Sequence, residues 1–185
     1  MTTSLIKVMQ TRLGVEPDGF WGPKSIAACQ SHLRGLMPDP HPWPYPDQTS
    51  LTAFFGKAGD EAMLTNLAVP PGLLYQGQHV RSIRCNVMVS RSLGRIIPQL
   101  IDRFPGIAAQ YAGCFNNRPM RGGSTPSLHA RGAAIDFAPE VNGNHQHWPA
   151  SATMPLEVME IFAREGWLSG GAFWSRDAMH FQSSR

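Results

Sequence analysis

The apolar positions of this 185-residue chain recur at helical spacing in four segments. A period of three to four residues places such side chains on one face of a helix, so the pattern predicts four amphipathic helices. Gly14, Pro105 and Gly166 follow three of these segments, and both residue types end helices. The predicted helices lie within residues 5–13, 25–33, 93–104 and 156–163.

Six other segments are short and either apolar or alternating, which is typical of β-strands. Helical and extended segments are mixed without regular alternation, so the expected fold class is α+β. We expect a small antiparallel sheet with flanking helices that carries the chemical site, preceded by a short helical module. The predicted strands are residues 67–69, 73–75, 80–85, 111–116, 133–138 and 173–181.

A proline-rich segment divides the chain. Residues 38–46 alternate proline with other residues and therefore cannot form a helix or a central strand. They are expected to be either a stiff extended linker or a strap packed on the surface. The predicted organisation is a helical module at 1–37, a proline-rich linker at 38–54 and a larger domain at 55–185. The module is too small to bury much core on its own.

Composition narrows the class of protein. With 42% hydrophobic and 16% charged residues, the chain has enough apolar material for a core. Its formal net charge of +3 and pI of about 9.0 favour encounter with polyanions such as cell walls or nucleic acids. No cluster of lysine and arginine with interleaved aromatic residues is present, so no nucleic-acid partner is expected. The three widely separated cysteines are predicted to be free buried thiols.

The sequence also bears on location. No apolar stretch is long enough to span a membrane, so stable membrane insertion is not expected. The first ten residues lack the apolar run and the small-residue cleavage site of a signal peptide. We therefore expect the protein to be made in the cytoplasm of its host cell and to act on an outer target only after release.

Two histidines and two aspartates supply the candidate chemistry. His129 and Asp136 flank a stretch of small residues, and a second pair, Asp177 and His180, lies farther along the chain. Two imidazole nitrogens and one carboxylate oxygen suit Zn²⁺, and a catalytic zinc site leaves its fourth position open. A further carboxylate near that position can serve as the base. Gly132 allows the turn that would bring His129 and Asp136 together.

Simpler interpretations of the same residues remain open at this point. A His–Asp pair is often a surface or structural pair, and Asp136 would serve equally well as the cap of a turn. His180 lies between Met179 and Phe181, where a core histidine with a satisfied hydrogen bond is an alternative. Asp177 and His180 are three residues apart and would face opposite sides of a regular strand. A loop or bulge is therefore needed to bring both to one ion.

Two motifs in the larger domain are more specific than these pairs. They read Ser127-x-His129-x-x-Gly132-x-Ala134-x-Asp136 and Asp177-x-Met179-His180-Phe181. In this order they resemble the zinc D-Ala-D-Ala carboxypeptidase and L-alanyl-D-glutamate endopeptidase family, whose fold also occurs in hedgehog signalling domains and which is common among phage endolysins. The resemblance covers roughly residues 55–185. It implies that His129, Asp136 and His180 bind Zn²⁺ and that Asp177 is the general base.

The segment before the first motif also resembles this family. Residues 117–123 correspond to a region in which an arginine serves the substrate carbonyl, which implies this role for Arg118, with Arg121 as the second candidate. A fixed guanidinium stabilises an oxygen that becomes anionic during the reaction; two solvated surface arginines are the alternative. Ser127 is expected either to bind substrate or to orient the turn that follows it. Trp174 is expected to pack beside the site, as core or as a wall for the substrate.

The N-terminal module contains a second resemblance. Its sequence Asp18-Gly19-Phe20-Trp21-Gly22-Pro23-Lys24-Ser25 is similar to the first half of the small helical peptidoglycan-binding domain. Ser25 replaces the usual threonine and keeps a hydroxyl group that can cap the helix. The second repeat of that domain is missing, and a proline-rich sequence follows instead. The resemblance implies wall binding through Asp18 and Trp21; the alternative is a pair of helices that brace the larger domain.

Together these observations predict a phage-type endolysin that takes part in host lysis. Its expected activity is that of a zinc endopeptidase cleaving the L-Ala-D-Glu bond of the peptidoglycan stem peptide, because a wall-binding N-terminus favours action on the intact polymer. A D,D-carboxypeptidase or D-Ala-D-Ala dipeptidase with the same site, and a non-catalytic cell-wall-binding module, are the alternatives. Bacterial peptidoglycan is the expected partner, a monomer the expected state, and release through a partner membrane pore is implied by the family.

Overall fold

Helices are the most extensive regular structure of the molecule, for which the computed structural model describes residues 2–185. The four helices expected from the hydrophobic pattern are confirmed. No helix within residues 2–185 is long and apolar enough to cross a membrane. The α-helices are α1 Thr3–Arg12, α2 Pro23–Leu36, α3 Gln48–Phe55, α4 Val87–Arg103, α5 Pro105–Ala108, α6 Pro139–Asn142, α7 Leu156–Ala163 and α8 Gly170–Trp174, and the 3₁₀ helices are Glu61–Met63 and Leu128–Arg131.

The strands form three small antiparallel sheets, which confirms the α+β fold class. The largest has four strands in the order β5-β6-β8-β7, and two-stranded sheets pair β1 with β4 and β2 with β3. The strands are β1 Leu64–Ala68, β2 Leu74–Tyr75, β3 Gln78–His79, β4 Ser82–Asn86, β5 Tyr111–Gly113, β6 Ala134–Phe137, β7 Leu168–Ser169 and β8 His180–Gln182.

The core lies between the four-stranded sheet and helices α4 and α7. The apolar face of α4, which includes Leu93, Ile96 and Ile97, is fully buried and packs against β1, β4 and α7. Strand β6 is buried along its whole length because β5 and β8 cover its two edges. Phe181 of β8 stacks on Phe162 of α7 with ring centroids 3.9 Å apart. These contacts hold β6 and β8 in a fixed register.

The proline-rich segment is a packed strap. The indole of Trp43 is buried, donates a hydrogen bond of 2.8 Å to the carbonyl of Glu165, and meets Trp167 at a centroid distance of 6.0 Å. Farther along, the predicted linker contains helix α3, which sequence analysis did not predict. Asp47 caps α3 by accepting a hydrogen bond from the backbone N–H of Ser50. The division of the chain at 1–37, 38–54 and 55–185 stays a prediction.

The N-terminal helices pack against the helices that flank the sheet. Helix α2 contacts α7 and α8, and Arg12 of α1 forms ion pairs with Glu157 (2.5 Å) and Glu160 (2.6 Å) of α7. Between the two helices, Trp21 meets Trp148 edge to face at a centroid distance of 5.2 Å. This packing corresponds to the bracing alternative for the module.

The predicted strand at 173–181 is wrong over most of its length. Phe173 lies in α8, and the strand begins only at His180. The chain cannot stay extended between them, because Ser175 and Asp177 adopt left-handed backbone angles of φ 59° and 58°. The predicted strand at 111–116 is also shorter than expected, since β5 ends at Gly113, where φ is 121°.

Candidate metal centre

The turn that carries His129 is fixed on both sides. The Ser127 hydroxyl accepts a hydrogen bond of 3.3 Å from the backbone N–H of His129 and so caps the 3₁₀ helix that follows. That helix ends at Gly132, whose φ of 64° is left-handed and where a Cβ atom would lie 2.7 Å from the backbone nitrogen of Asn86. Glycine is therefore required there. Because the Cys114 carbonyl can only accept, the Nδ1 of His129, 2.7 Å away, carries the proton.

Sheet register brings the other two residues to the same point. Asp136 on β6 lies directly opposite His180 on β8. The Oδ1 atom of Asp136 is 3.0 Å from Nδ1 of His180 and 3.2 Å from Nε2 of His129. The two ring nitrogens are 3.1 Å apart. Three candidate ligand atoms thus form a nearly equilateral triangle, and within residues 2–185 these three side chains form the cluster suited to a metal.

The hydrogen bonds outside this triangle decide which ring atoms face its centre. Gln182 donates its amide N–H to the Ser184 hydroxyl at 2.7 Å, which leaves Oε1 to accept from Nε2 of His180 at 3.2 Å. When both rings are neutral and keep these outer bonds, His129 and His180 hold their protons on the outer nitrogen and turn a lone pair toward Asp136. A ring that gains a second proton donates it to Asp136 instead. Three electron-rich atoms at such distances repel one another unless a proton or a cation lies between them.

The triangle has the dimensions of a zinc site. Zinc bonds of about 2.0–2.1 Å in a tetrahedron place neighbouring ligand atoms roughly 3.3 Å apart, and the separations here are 3.0–3.2 Å. Two imidazoles and a carboxylate are a donor set that zinc accepts, and each imidazole has the outer hydrogen bond that orients a metal ligand. The residues present thus fit Zn²⁺, and they line the cleft described below.

The pairing of Asp136 with His180 favours a proton on the histidine as well as a cation at the centre. Burial raises the pKa of Asp136, but the hydrogen bonds from His129 and His180 outweigh it and bring the pKa well below its usual value. Burial lowers the pKa of His180, while its hydrogen bond to Asp136 and the charges of Asp136 and Asp177 raise it, and the net shift is upward. A proton on His180 and a metal ion consequently compete for the same place.

Asp177 lies beside this centre in a strained turn. Its φ of 58° is in the left-handed region, and its backbone carbonyl accepts a hydrogen bond of 3.0 Å from the N–H of His180. Burial raises the pKa of its carboxyl group above the usual value. Its buried Oδ1 has no hydrogen-bond partner within residues 2–185. Such an acceptor with a raised pKa suits proton transfer.

One cleft of about 430 Å³ contains all of these groups. Ten site residues are predicted from the sequence, and the structure brings eight of them to this cleft. They are Arg118, Arg121, Ser127, His129, Asp136, Trp174, Asp177 and His180. The roles of these eight residues stay predictions, but a shared site requires that they line one cleft, and they do.

The four predicted substrate-side residues differ in how firmly they are held. Arg118 is partly buried and donates to the neighbouring Pro119 carbonyl at 3.2 Å, whereas Arg121 is exposed. Ser127 is buried and uses its hydroxyl as the cap of the His129 turn, in line with the orienting alternative. Trp174 is 42% exposed and its ring lies 6.0 Å from that of His180, so it is a wall of the cleft rather than part of the core.

Asp18 and Trp21 lie outside the cleft. The Asp18 carboxylate accepts hydrogen bonds from the Gln10 side chain (2.7 Å) and from the backbone N–H of Phe20 (2.8 Å), and these bonds lower its pKa. Trp21 is half-buried against Trp148. Both residues therefore have partners within the molecule.

Sequence reasoning missed several residues that line or support the site. Gln182 could have been found, because it follows His180 by two positions on one strand and so shares its face. Gln48, Asn144 and Arg176 also line the cleft. No pattern in the sequence marks these three, since each comes to the cleft only through the folding of a loop or a short helix.

A buried carboxylate and two imidazoles, with a further carboxylate and arginines in the same cleft, are a set of groups that a mononuclear zinc hydrolase requires. A family model described as D-alanyl-D-alanine carboxypeptidase matches residues 121–183. The matched segment contains the three candidate ligands and Asp177, and Arg118 lies just before it. No curated protein and no solved structure matches the chain. The match supports, at the level of the family, a zinc-dependent metallopeptidase related to peptidoglycan.

Proposed function

We propose that this protein is a zinc endopeptidase that hydrolyses the L-Ala-D-Glu bond in the stem peptide of bacterial peptidoglycan. The observation that carries the proposal is the triangle of His129 Nε2, Asp136 Oδ1 and His180 Nδ1 at 3.0–3.2 Å, with the unpartnered carboxylate of Asp177 in the same cleft. A purely structural zinc site prefers four protein ligands and has no use for a further carboxylate.

His129, Asp136 and His180 would hold the ion, and the chain keeps them in place without it. The carbonyl of Cys114 and the amide of Gln182 fix the two rings in the tautomers that zinc needs. A bound Zn²⁺ supplies Lewis acidity, which polarises a carbonyl oxygen and lowers the pKa of a water molecule to about 7.

Asp177 is the base in this proposal. Its ionised carboxylate accepts a proton from the attacking water and passes it to the nitrogen of the departing amine. Burial raises its pKa, which makes it a better proton acceptor than an exposed aspartate and brings it nearer the pH at which the reaction runs. The left-handed backbone at this residue keeps the carboxylate beside the His180 side of the site.

Arg118 is the group that stabilises the oxygen of the scissile carbonyl. The carbonyl becomes anionic when water adds to it, and a fixed cation gains most at that moment. Arg118 is the better candidate than Arg121 because it is less exposed and its guanidinium is held by the Pro119 carbonyl. Trp174 lines the same cleft, where its exposed ring offers an apolar face to the peptide.

The wider setting belongs to the same proposal. We take the enzyme to be an endolysin of the phage type that is made in the host cytoplasm and reaches the wall after release, as a monomer. Its mildly basic character suits an anionic wall. Asp18 and Trp21 are the candidates for additional wall contact, although both already have intramolecular partners.

A D,D-carboxypeptidase or D-Ala-D-Ala dipeptidase is the second candidate, because the matching family model carries the description D-alanyl-D-alanine carboxypeptidase. The two reactions differ in their products. An endopeptidase releases peptides that begin with D-Glu, whereas a carboxypeptidase releases free D-Ala and a dipeptidase acts on D-Ala-D-Ala itself.

Mass spectrometry of purified peptidoglycan digested with the zinc-loaded protein tests the proposal. We expect new amino termini at D-Glu, abolished by a chelator and restored by zinc. The variant His129→Ala should lose both the metal and the products, while His145→Ala, an exposed histidine outside the cleft, should keep both. Release of D-Ala alone would favour the second candidate. A metal-loaded protein that yields no products from wall or D-Ala-D-Ala would overturn the assignment as a hydrolase.

A further inference from the structure

We propose that Arg176 is a specificity-determining residue that binds a free carboxylate of the substrate next to the scissile bond. This inference rests on the proposed function and adds to it the chemistry of the group that the cleft selects. Arg176 precedes the candidate base, lines the metal cleft and also lines the adjoining groove formed with Asn144, His147 and Trp174.

The backbone around Arg176 is built to hold it at the cleft. Its two neighbours, Ser175 and Asp177, both have left-handed backbone angles, which are uncommon in non-glycine residues. Trp148 donates its backbone N–H to the Ser175 carbonyl at 3.1 Å, and Arg176 itself forms an antiparallel bridge with His147. Arg176 therefore lies on a firmly held turn although its side chain is exposed.

The charge of Arg176 is not neutralised by the protein. Arg12, Arg84 and Arg95 each form an ion pair with a glutamate. In contrast, within residues 2–185 no carboxylate oxygen lies within 4.0 Å of the guanidinium of the cleft arginines, which are Arg118, Arg121 and Arg176. An exposed guanidinium left without an anionic partner at the edge of a cleft is available to a ligand.

The position of Arg176 separates it from the other two cleft arginines. Arg118 and Arg121 belong to the segment before the metal motif. Within this segment, Pro119 and Pro126 form an antiparallel bridge. Arg176 belongs to the turn between α8 and β8. A peptide that presents its scissile carbonyl to Arg118 would therefore meet Arg176 through a different group.

The chemistry of the substrate supplies such a group. When a glutamyl residue is joined to the next residue through one of its two carboxyl groups, the other carboxylate stays free. In a substrate that is cleaved between L-Ala and D-Glu, this free carboxylate lies next to the nitrogen that departs. A planar guanidinium recognises a carboxylate through two parallel N–H···O bonds, and an amide in its place loses the charge and one acceptor. The cleft is thus suited to stem peptides with free rather than amidated glutamate.

The test uses two synthetic stem peptides that differ only in this group, one with D-glutamate and one with D-isoglutamine. The zinc-loaded wild-type protein should cleave the acid with a kcat/KM at least about tenfold above that for the amide, the range of a charge-assisted hydrogen bond. Arg176→Gln should reduce this ratio to about 1 by slowing cleavage of the acid alone. Arg176→Lys should keep part of the preference, and Arg164→Gln, an exposed arginine outside the cleft, should keep all of it.

The outcomes separate this inference from the proposed function. Equal cleavage of both peptides by the wild-type protein, or an unchanged ratio in Arg176→Gln, would overturn the role of Arg176 while leaving the endopeptidase in place. Cleavage of neither peptide between L-Ala and the following residue would overturn the proposed endopeptidase and this inference with it. A loss of both activities in Arg176→Gln to the same degree would mark a structural role and also contradict the inference.

Discussion

Asp136 and His180 lie directly opposite each other on adjacent antiparallel strands, with Oδ1 of the aspartate 3.0 Å from Nδ1 of the histidine. The antiparallel pairing of β6 with β8 sets this register, and Phe181 of β8 is anchored in the core on Phe162 of α7. At low pH this closeness disfavours metal binding, because Asp136 also stabilises a proton on His180.

The first prediction concerns the pH dependence of zinc binding. The pKa of His180 is raised in the folded metal-free protein, because its hydrogen bond to Asp136 outweighs the effect of burial. Above that pKa zinc binds without displacing a proton; below it the affinity should fall about tenfold per pH unit. The loss should therefore begin at a pH above the ordinary histidine value of about 6.5. Competition with a chromophoric chelator across pH 5–8.5 measures it, and a constant affinity across this range would contradict the assignment of His180.

A second prediction addresses the support of His180 by Gln182. Gln182→Leu removes the acceptor for Nε2–H and frees the ring to adopt the other tautomer. Zinc affinity should fall about 10- to 100-fold, as is usual when a group that orients a metal ligand is lost. Gln182→Glu keeps an acceptor at the same place and should keep zinc binding. Equal affinity of the leucine variant and the wild-type protein would show that the bond is incidental.

The candidate ligands could be predicted from the sequence, whereas much of their surroundings could not. Residue type and spacing make His129, Asp136 and His180 possible ligands, and the resemblance of the two motifs to a zinc peptidase family selects them. The strand at Asp136 was expected from its apolar neighbours. Helix α3, which includes Gln48 at the cleft, has an apolar pattern too short to predict a helix from the sequence. The burial of α3 depends on Trp43, which packs against Phe54 and Phe55.

The loop or bulge expected to bring Asp177 and His180 together is confirmed as the turn at residues 175–177, but its position could not be predicted, for a different reason. Its left-handed backbone at Ser175 and Asp177 is imposed by contacts with residues about 30 positions earlier, such as Trp148. Neither residue type favours that conformation strongly enough to be recognised from the sequence. The predicted strand therefore ran through the place where the chain turns Arg176 and Asp177 toward the cleft.

Asp177 provides a prediction about activity and its pH profile. Asp177→Asn should keep zinc at the wild-type stoichiometry and lower kcat/KM for wall fragments by about 10²–10⁴-fold, the usual contribution of a general base. In the wild-type protein the base must be ionised, and burial raises its pKa. At saturating zinc, activity should therefore rise with pH as the Asp177 carboxyl group becomes ionised. Full activity of the asparagine variant would remove Asp177 from the mechanism.

Gly132 allows a test of the turn that presents His129. Gly132→Ala would put a Cβ atom 2.7 Å from the backbone nitrogen of Asn86 at a φ of 64°. The conformation alone costs about 1–3 kcal/mol, and the clash with backbone adds to it. We expect a lower free energy of unfolding and weaker zinc binding. Gly35→Ala in helix α2, where nothing lies within 4 Å, should be neutral or stabilising. Denaturant titration of both variants makes the comparison, and equal stability would contradict the constraint.

Trp21 distinguishes bracing from wall binding by the N-terminal module. It packs edge to face on Trp148, whose own indole N–H is hydrogen-bonded to the carbonyl of Met154, so the contact joins the module to the region around the sheet. Trp21→Ala should lower Tm by about 3–8 °C. Phe20→Ala is the matched control, because the neighbouring ring is 72% exposed and its loss should leave Tm unchanged. Co-sedimentation with purified peptidoglycan completes the test. A Trp21→Ala variant with unchanged Tm that no longer sediments with the wall would contradict bracing and support wall binding, since a side chain needed for packing cannot be removed without loss of stability.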